Sequence, residues 1–254
     1  MPLKKHTVLI ILVVLFLLLV GQSLDAQEPT VTPEENTPEK KEVLLESADR
    51  ITYDSKGETF VAIGQVIAVQ GKNRIHCQEL NFNLKNNTGV FEGNVSVTRD
   101  KTEIIATSME GDFDEELYLF TGDVILNKER EEENGTSTII WKAPALTFNG
   151  ETEEAWSENG SEIAWKETTI KTDKAVYFPK NEEKNQLERI EMEGEIFITE
   201  KERELQVGKA VYYLDSETLE AEKIIKAKFI IGGLIPDASF GLGFLPFNLS
   251  SVFS

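Results

Sequence analysis

Hydrophobic and polar positions alternate along most of this chain, and the alternation itself repeats. Val61, Val90 and Leu119 stand 29 residues apart, as do Ala62, Phe91 and Phe120, then Val66, Val95 and Val124, then Ala68, Val97 and Leu126. Polar residues such as Gln65, Asn94 and Asp123 lie between these columns. A period of two predicts strands with one face on a core, and a fixed longer period predicts one supersecondary unit stacked on itself. The register extends to Ala48, Cys77 and Ala106 and to Ile51, Leu80 and Met109. Looser copies follow at Ala143, Thr172 and Val207, so six units start 29, 29, 37, 29 and 35 residues apart. The surplus falls in polar stretches, 128–136 and 179–186, of the composition expected in exposed turns.

Each unit has room for two strands of about ten residues with their turns, giving roughly a dozen strands. Gly64, Gly93 and Gly122 share one phase, each two residues before a valine; Gly194 continues the column, and Gly160 falls one residue out of register. A strand glycine marks a bulge or a close backbone approach, so a recurrent one predicts the same bend in every unit. No strong helical period follows the leader. The expected body is all-β and elongated, either a long jelly roll of two facing sheets or a β-solenoid, and periodicity leaves that choice open.

The flanks differ in kind. Residues 1–26 read as a signal peptide or membrane anchor: Lys4 and Lys5 precede the apolar run Val8 to Val20, which suits a signal core better than a spanning helix. Residues 27–43, with Pro29, Pro33 and Pro38 among Thr and Glu, read as a flexible linker. The domain is expected over 44–226, and 227–254 as an apolar tail rich in phenylalanine. That tail is expected either to dock as a last strand on its own body or to add to another chain's edge.

Charge and chemistry narrow the function. With 45 acidic against 26 basic residues, a formal charge of −19, the chain lacks the basic stripe that nucleic acid requires. Cys77 is the only cysteine, so no internal disulfide forms, and its alanine column mates make it a small core residue. His76 beside it would point to the opposite face of a strand, so the two do not make a metal site. Asp112 to Glu116 reads as a strand-end turn, not a calcium loop. No nucleophile, zinc-protease or phosphate-loop motif occurs, no carboxylate pair stands out, and no cofactor is indicated. Trp141, Trp156 and Trp165 read as core more readily than as a carbohydrate platform.

The pattern Ala48-Asp-Arg-Ile-Thr-Tyr-Asp54, Gly64-Gln-Val66, Ile75-His-Cys-Gln-Glu-Leu-Asn-Phe82 and Gly93-Asn-Val95 resembles the OstA-like domain of the LptA family of lipopolysaccharide-transport proteins. The match is good over 48–126 and looser over 143–225. The resemblance implies a twisted jelly roll whose two sheets gape along one side and hold acyl chains of lipopolysaccharide or a similar glycolipid in an apolar groove. It also implies a periplasmic, non-enzymatic bridge, joined by edge-to-edge strand pairing to jelly-roll partners of the inner and outer membranes. An inner-membrane-anchored form facing the periplasm, and self-association through the same edges, are its variants. Candidate groove residues are Ile51, Tyr53, Val61, Val66, Leu80, Phe82, Val90, Val95, Met109, Leu119 and Val124. The competing expectation is a β-solenoid scaffold that polymerises through its edges without lipid.

Overall fold

The computed structural model describes residues 42–230; the leader, most of the linker and the chain beyond 230 lie outside them. Fifteen strands follow one another without a helix among the described residues: β1 Leu44–Ser47, β2 Arg50–Asp54, β3 Thr59–Gln70, β4 Asn73–Asn83, β5 Thr88–Arg99, β6 Thr102–Asp112, β7 Leu117–Glu132, β8 Gly135–Asn149, β9 Ala155–Ser157, β10 Ser161–Trp165, β11 Thr168–Thr172, β12 Lys174–Phe178, β13 Arg189–Glu200, β14 Arg203–Tyr213 and β15 Thr218–Phe229. Every pairing is antiparallel, and sequence neighbours dominate the order. Such a meander is a jelly-roll winding, since a solenoid would stack parallel rungs.

The long strands each serve two sheets. Register breaks in mid-strand between Ile63 and Val66, Glu92 and Val95, Thr121 and Val124, and Glu193 and Ile196, where the glycine column lies. Gly64, Gly93 and Gly122 have φ of 81°, 80° and 79°, and the residues after them, Gln65, Asn94 and Asp123, are also left-handed. Two successive left-handed residues at a bulge turn the strand over, so one half enters sheet I and the other sheet II along a common crease. β1/β2, β9/β10 and β11/β12 are the same bent strands, interrupted at the crease. The unit starts Cys77, Ala106, Ala143 and Val207 sit beside these breaks. One repeat therefore climbs sheet I, returns, crosses the crease and descends sheet II.

Facing rows fill the space between the sheets. In sheet I, Ile51, Ala62, Leu80, Phe91, Met109, Phe120 and Leu146 are successive cross-strand partners. In sheet II the row runs Leu45, Ala68, Ile75, Val97, Ile104, Leu126, Trp141, Ile163, Ile170, Ile198 and Leu205. Direct partners share a face, so both rows are continuous apolar walls, buried from Ala62 to Leu146 and from Ala68 to Leu205.

Two expectations need correction. Stretch 128–136 is not an exposed turn: it lengthens β7 and β8 as a ladder to the pair Glu132 and Gly135, and Arg130 within it is buried. Strand β15 continues to Phe229, past the boundary drawn at 226.

Candidate lipid groove and its mouth

The crease closes one long side of the space between the sheets. On the opposite side the hairpin tips of the two sheets meet, and these contacts are polar. Tyr118, at the tip of sheet I, donates to Gln70 Oε1 (2.6 Å), while Gln70 donates to the Phe113 carbonyl (2.6 Å) and Asn73 to the Tyr118 hydroxyl (3.1 Å). Further along, Arg130 of sheet II donates to Glu188 through Nε (2.9 Å) and Nη2 (2.7 Å) and to Asp215 (2.9 Å). Tyr177 also donates to Glu188 (2.7 Å). Lys166 bonds Glu217 and lies 3.0 Å from Glu132. Burial, with the charges of nearby carboxylates, pushes the Tyr118 and Tyr177 hydroxyls well above the usual tyrosine range, so both stay protonated donors. A seam of side chains thus laces the mouth along its length.

The groove candidates divide into three groups. Val66, Leu80, Phe82, Val95, Met109 and Val124 face inward and are buried. Ile51 and Tyr53 belong to the same inner rows, through Ala62 and Phe60, yet are 56% and 58% exposed because β2 ends sheet I, no strand among the described residues lying beyond it to carry the cover onward. Val61, Val90 and Leu119 are a correction. Their ladder partners are Asn81, Glu110 and Thr147, on the outer face. They are apolar positions in phase with one another but one residue off the buried column, and a slip of one residue reverses the face. Val90 and Leu119 line an outer depression of about 760 Å³ with Trp156.

Trp141 and Trp165 are buried, each donating its indole N–H to a serine, Ser161 (2.8 Å) and Ser137 (2.9 Å). Trp156 is on the outer face. Burial pushes the Cys77 thiol up to about 11, while His76 on the other face is exposed. Among the described residues no group of side chains is arranged to hold a metal ion.

The family model described as "LptA/(LptD N-terminal domain) LPS transport protein" matches residues 75–226, more than half of the chain. The chain belongs to this family. Its members are lipopolysaccharide transport proteins, and the all-β jelly roll is the fold expected of one. Among solved structures, it is similar to LptH of Pseudomonas aeruginosa, described as the LptA-homologous periplasmic component of the lipopolysaccharide transport device. That similarity has 12% identity and a TM-score of 0.34, over 54% of this chain and 76% of the other. No curated protein matches the sequence.

Sequence reasoning about this LptA-family chain missed the mouth. Gln70, Arg99 and Lys128 are 29 residues apart and form a column of their own. Each ends an inward-facing apolar run of sheet II, the last being Val124, Leu126, Lys128. Reading that column for polar content, as the others were read for apolar content, would have found it. Phe113 escaped notice because a turn residue carries no periodic signal, yet it is buried against Phe82, Phe91 and Tyr118.

Proposed function

We propose that this protein carries lipopolysaccharide-like amphiphiles, holding their acyl chains between its two sheets and passing them to jelly-roll neighbours joined at its end strands. The observation that supports this most is the apolar inner lining of the two sheets, which reaches the end strands with exposed apolar residues. Ile51 and Tyr53 are exposed at the β2 end, and Ile224 (44%) and Phe229 (51%) on β15 at the other. A closed sandwich would cap such rows; a conduit continued by a neighbour would leave them open.

The energetics suit a carrier that makes no bonds. Each CH₂ removed from water is worth about 0.8 kcal/mol, so a fourteen-carbon chain left in water costs on the order of 10 kcal/mol. An apolar trough removes that cost and needs no cofactor. Val66, Leu80, Phe82, Val95, Met109 and Val124 are the lining in this reading, and the chain acts in the periplasm, the compartment in which LptH is a component of its transport device.

A photo-reactive residue at Leu80 or Val95 should label bound lipopolysaccharide, whereas one at the outward Gln65 should not. Equal labelling from Gln65 would sink the groove. The solenoid scaffold loses its basis in the antiparallel meander.

A further inference from the structure

Cations crowd one lip of the mouth in a chain whose overall charge is −19. On sheet II the inward run of β5 ends Val95, Val97, Arg99, and that of β7 continues Val124, Leu126, Lys128, Arg130. Arg130 and Lys166 are held by close carboxylates, at 2.7 Å and 3.0 Å among others. Arg99 and Lys128 are not. The buried Nε of Arg99 makes no hydrogen bond and stands 3.6 Å from Glu153 Oε1, with Nη1 3.8 Å from Glu116. Lys128 Nζ is 3.8 Å from the other oxygen of Glu153. Their remaining contacts are long, Arg99 to Asn73 (3.3 Å), Lys128 to Thr102 (3.5 Å) and Lys128 over the Tyr177 ring (5.4 Å to its centre). Two cations converge on one carboxylate at distances well beyond the roughly 2.7–2.9 Å of a charge-assisted hydrogen bond, and a buried guanidinium N–H is left without an acceptor.

We infer that Arg99 and Lys128 form a binding site for a phosphate of the amphiphile's headgroup, with the Glu153 carboxylate as the internal anion that the phosphate displaces. This rests on the carrier reading and deepens it. A phosphate supplies more acceptor oxygens than a carboxylate and suits the fork of an arginine beside the point charge of a lysine. Its position follows from strand geometry. Val97 and Leu126 lie two residues inward on the same strands, about 7 Å away, so chains packed on them place a headgroup at the lip. Sheet stability does not demand these cations: the equivalent position in the preceding unit is the neutral Gln70, which accepts from Tyr118 and donates to the Phe113 carbonyl. Glu153 sits on the tip turn after β8, left-handed at φ 58°, where a shift need not disturb either apolar row.

The test compares a hexa-acylated, phosphorylated glucosamine disaccharide with its dephosphorylated form by displacement of a fluorescent fatty-acid probe. The intact protein should prefer the phosphorylated form by about tenfold or more, the range of a charge-assisted pair. The R99Q/K128Q variant should lose that preference and keep its affinity for the dephosphorylated form. Glu153→Gln, independent of whether the double variant folds, should strengthen binding of the phosphorylated form alone. An unchanged preference in both variants overturns the site while leaving the carrier reading intact. Inorganic phosphate that competes as well as the acylated ligand would reassign the cations to free phosphate and overturn the headgroup assignment. Failure of the intact protein to bind either acylated ligand overturns the carrier reading and this site with it.

Discussion

Gly93 stands at φ 80° in the middle of β5, and a Cβ built there would lie 2.7 Å from Gln78 Oε1 and 2.9 Å from its Cβ on the neighbouring strand. Gly93→Ala therefore meets both left-handed strain and a clash, and should lower unfolding free energy by about 1–3 kcal/mol in urea titration. Arg130 presents a second residue-scale case. Replacing it with methionine leaves Glu188 buried without its cation, a loss on the order of 3–5 kcal/mol by the same measurement. Cys77 and Tyr212, together with Tyr118 and Tyr177, weaken the fold in alkali. Burial raises the thiol from 9.0 to about 11 and, with the charges of Glu200 and Glu217, the Tyr212 hydroxyl from 10.0 to about 12. In both, the folded state holds the proton more tightly, so their contribution is whole below about pH 9 and is lost as pH rises toward 11 to 12. The urea midpoint should fall over that window, and less steeply in Cys77→Ala, whose column mates are already alanine.

At the scale of elements, the proposed assembly rests on the end strands. Among the described residues strand β15 pairs only with β14, and Ile224, Ile225 (65% exposed) and Phe229 along it, with Ile230 just after it, are exposed apolar residues. Ile225→Lys touches no buried contact and should leave the melting temperature within a few degrees, a surface substitution costing about half a kcal/mol at most. It should nevertheless weaken end-to-end association, read as a shift toward monomer in sedimentation. Assembly unchanged by this charge would exclude β15 as the joining edge. The insertions show why element boundaries resist sequence reading: the eight surplus residues around 128–136 are polar as a turn would be, but they pair across β7 and β8 because a hairpin lengthens by adding polar ladder pairs at its tip. Composition reports solvent exposure, and a half-exposed ladder resembles a loop by that measure.

For the whole molecule, the repeat made the architecture legible and left the site partly hidden. The phase of Val66, Val95 and Val124 told of strands, the recurrent glycines of a shared bend, and the motif of the family; all of these are local or periodic, and a sequence carries both kinds of information. Which apolar column faces inward was another matter. Val61 and Ala62 both repeat with apolar partners at 29 residues, and only the closure of sheet I over sheet II buries the Ala62 column and leaves the Val61 column outside. The position of β2 at the end of sheet I leaves Ile51 and Tyr53 exposed although their register is inward, and the closure of the sheets does not reach them. Closure of the sheets also brings Arg99 to Glu153 and Arg130 to Glu188 across the mouth, pairs separated by 54 and 58 residues in the chain. Periodicity fixes what repeats along one strand after another, because side-chain alternation is set by the backbone; contacts between the tips of two sheets depend on how far each strand bends at its crease, a sum of many small twists that no single residue encodes.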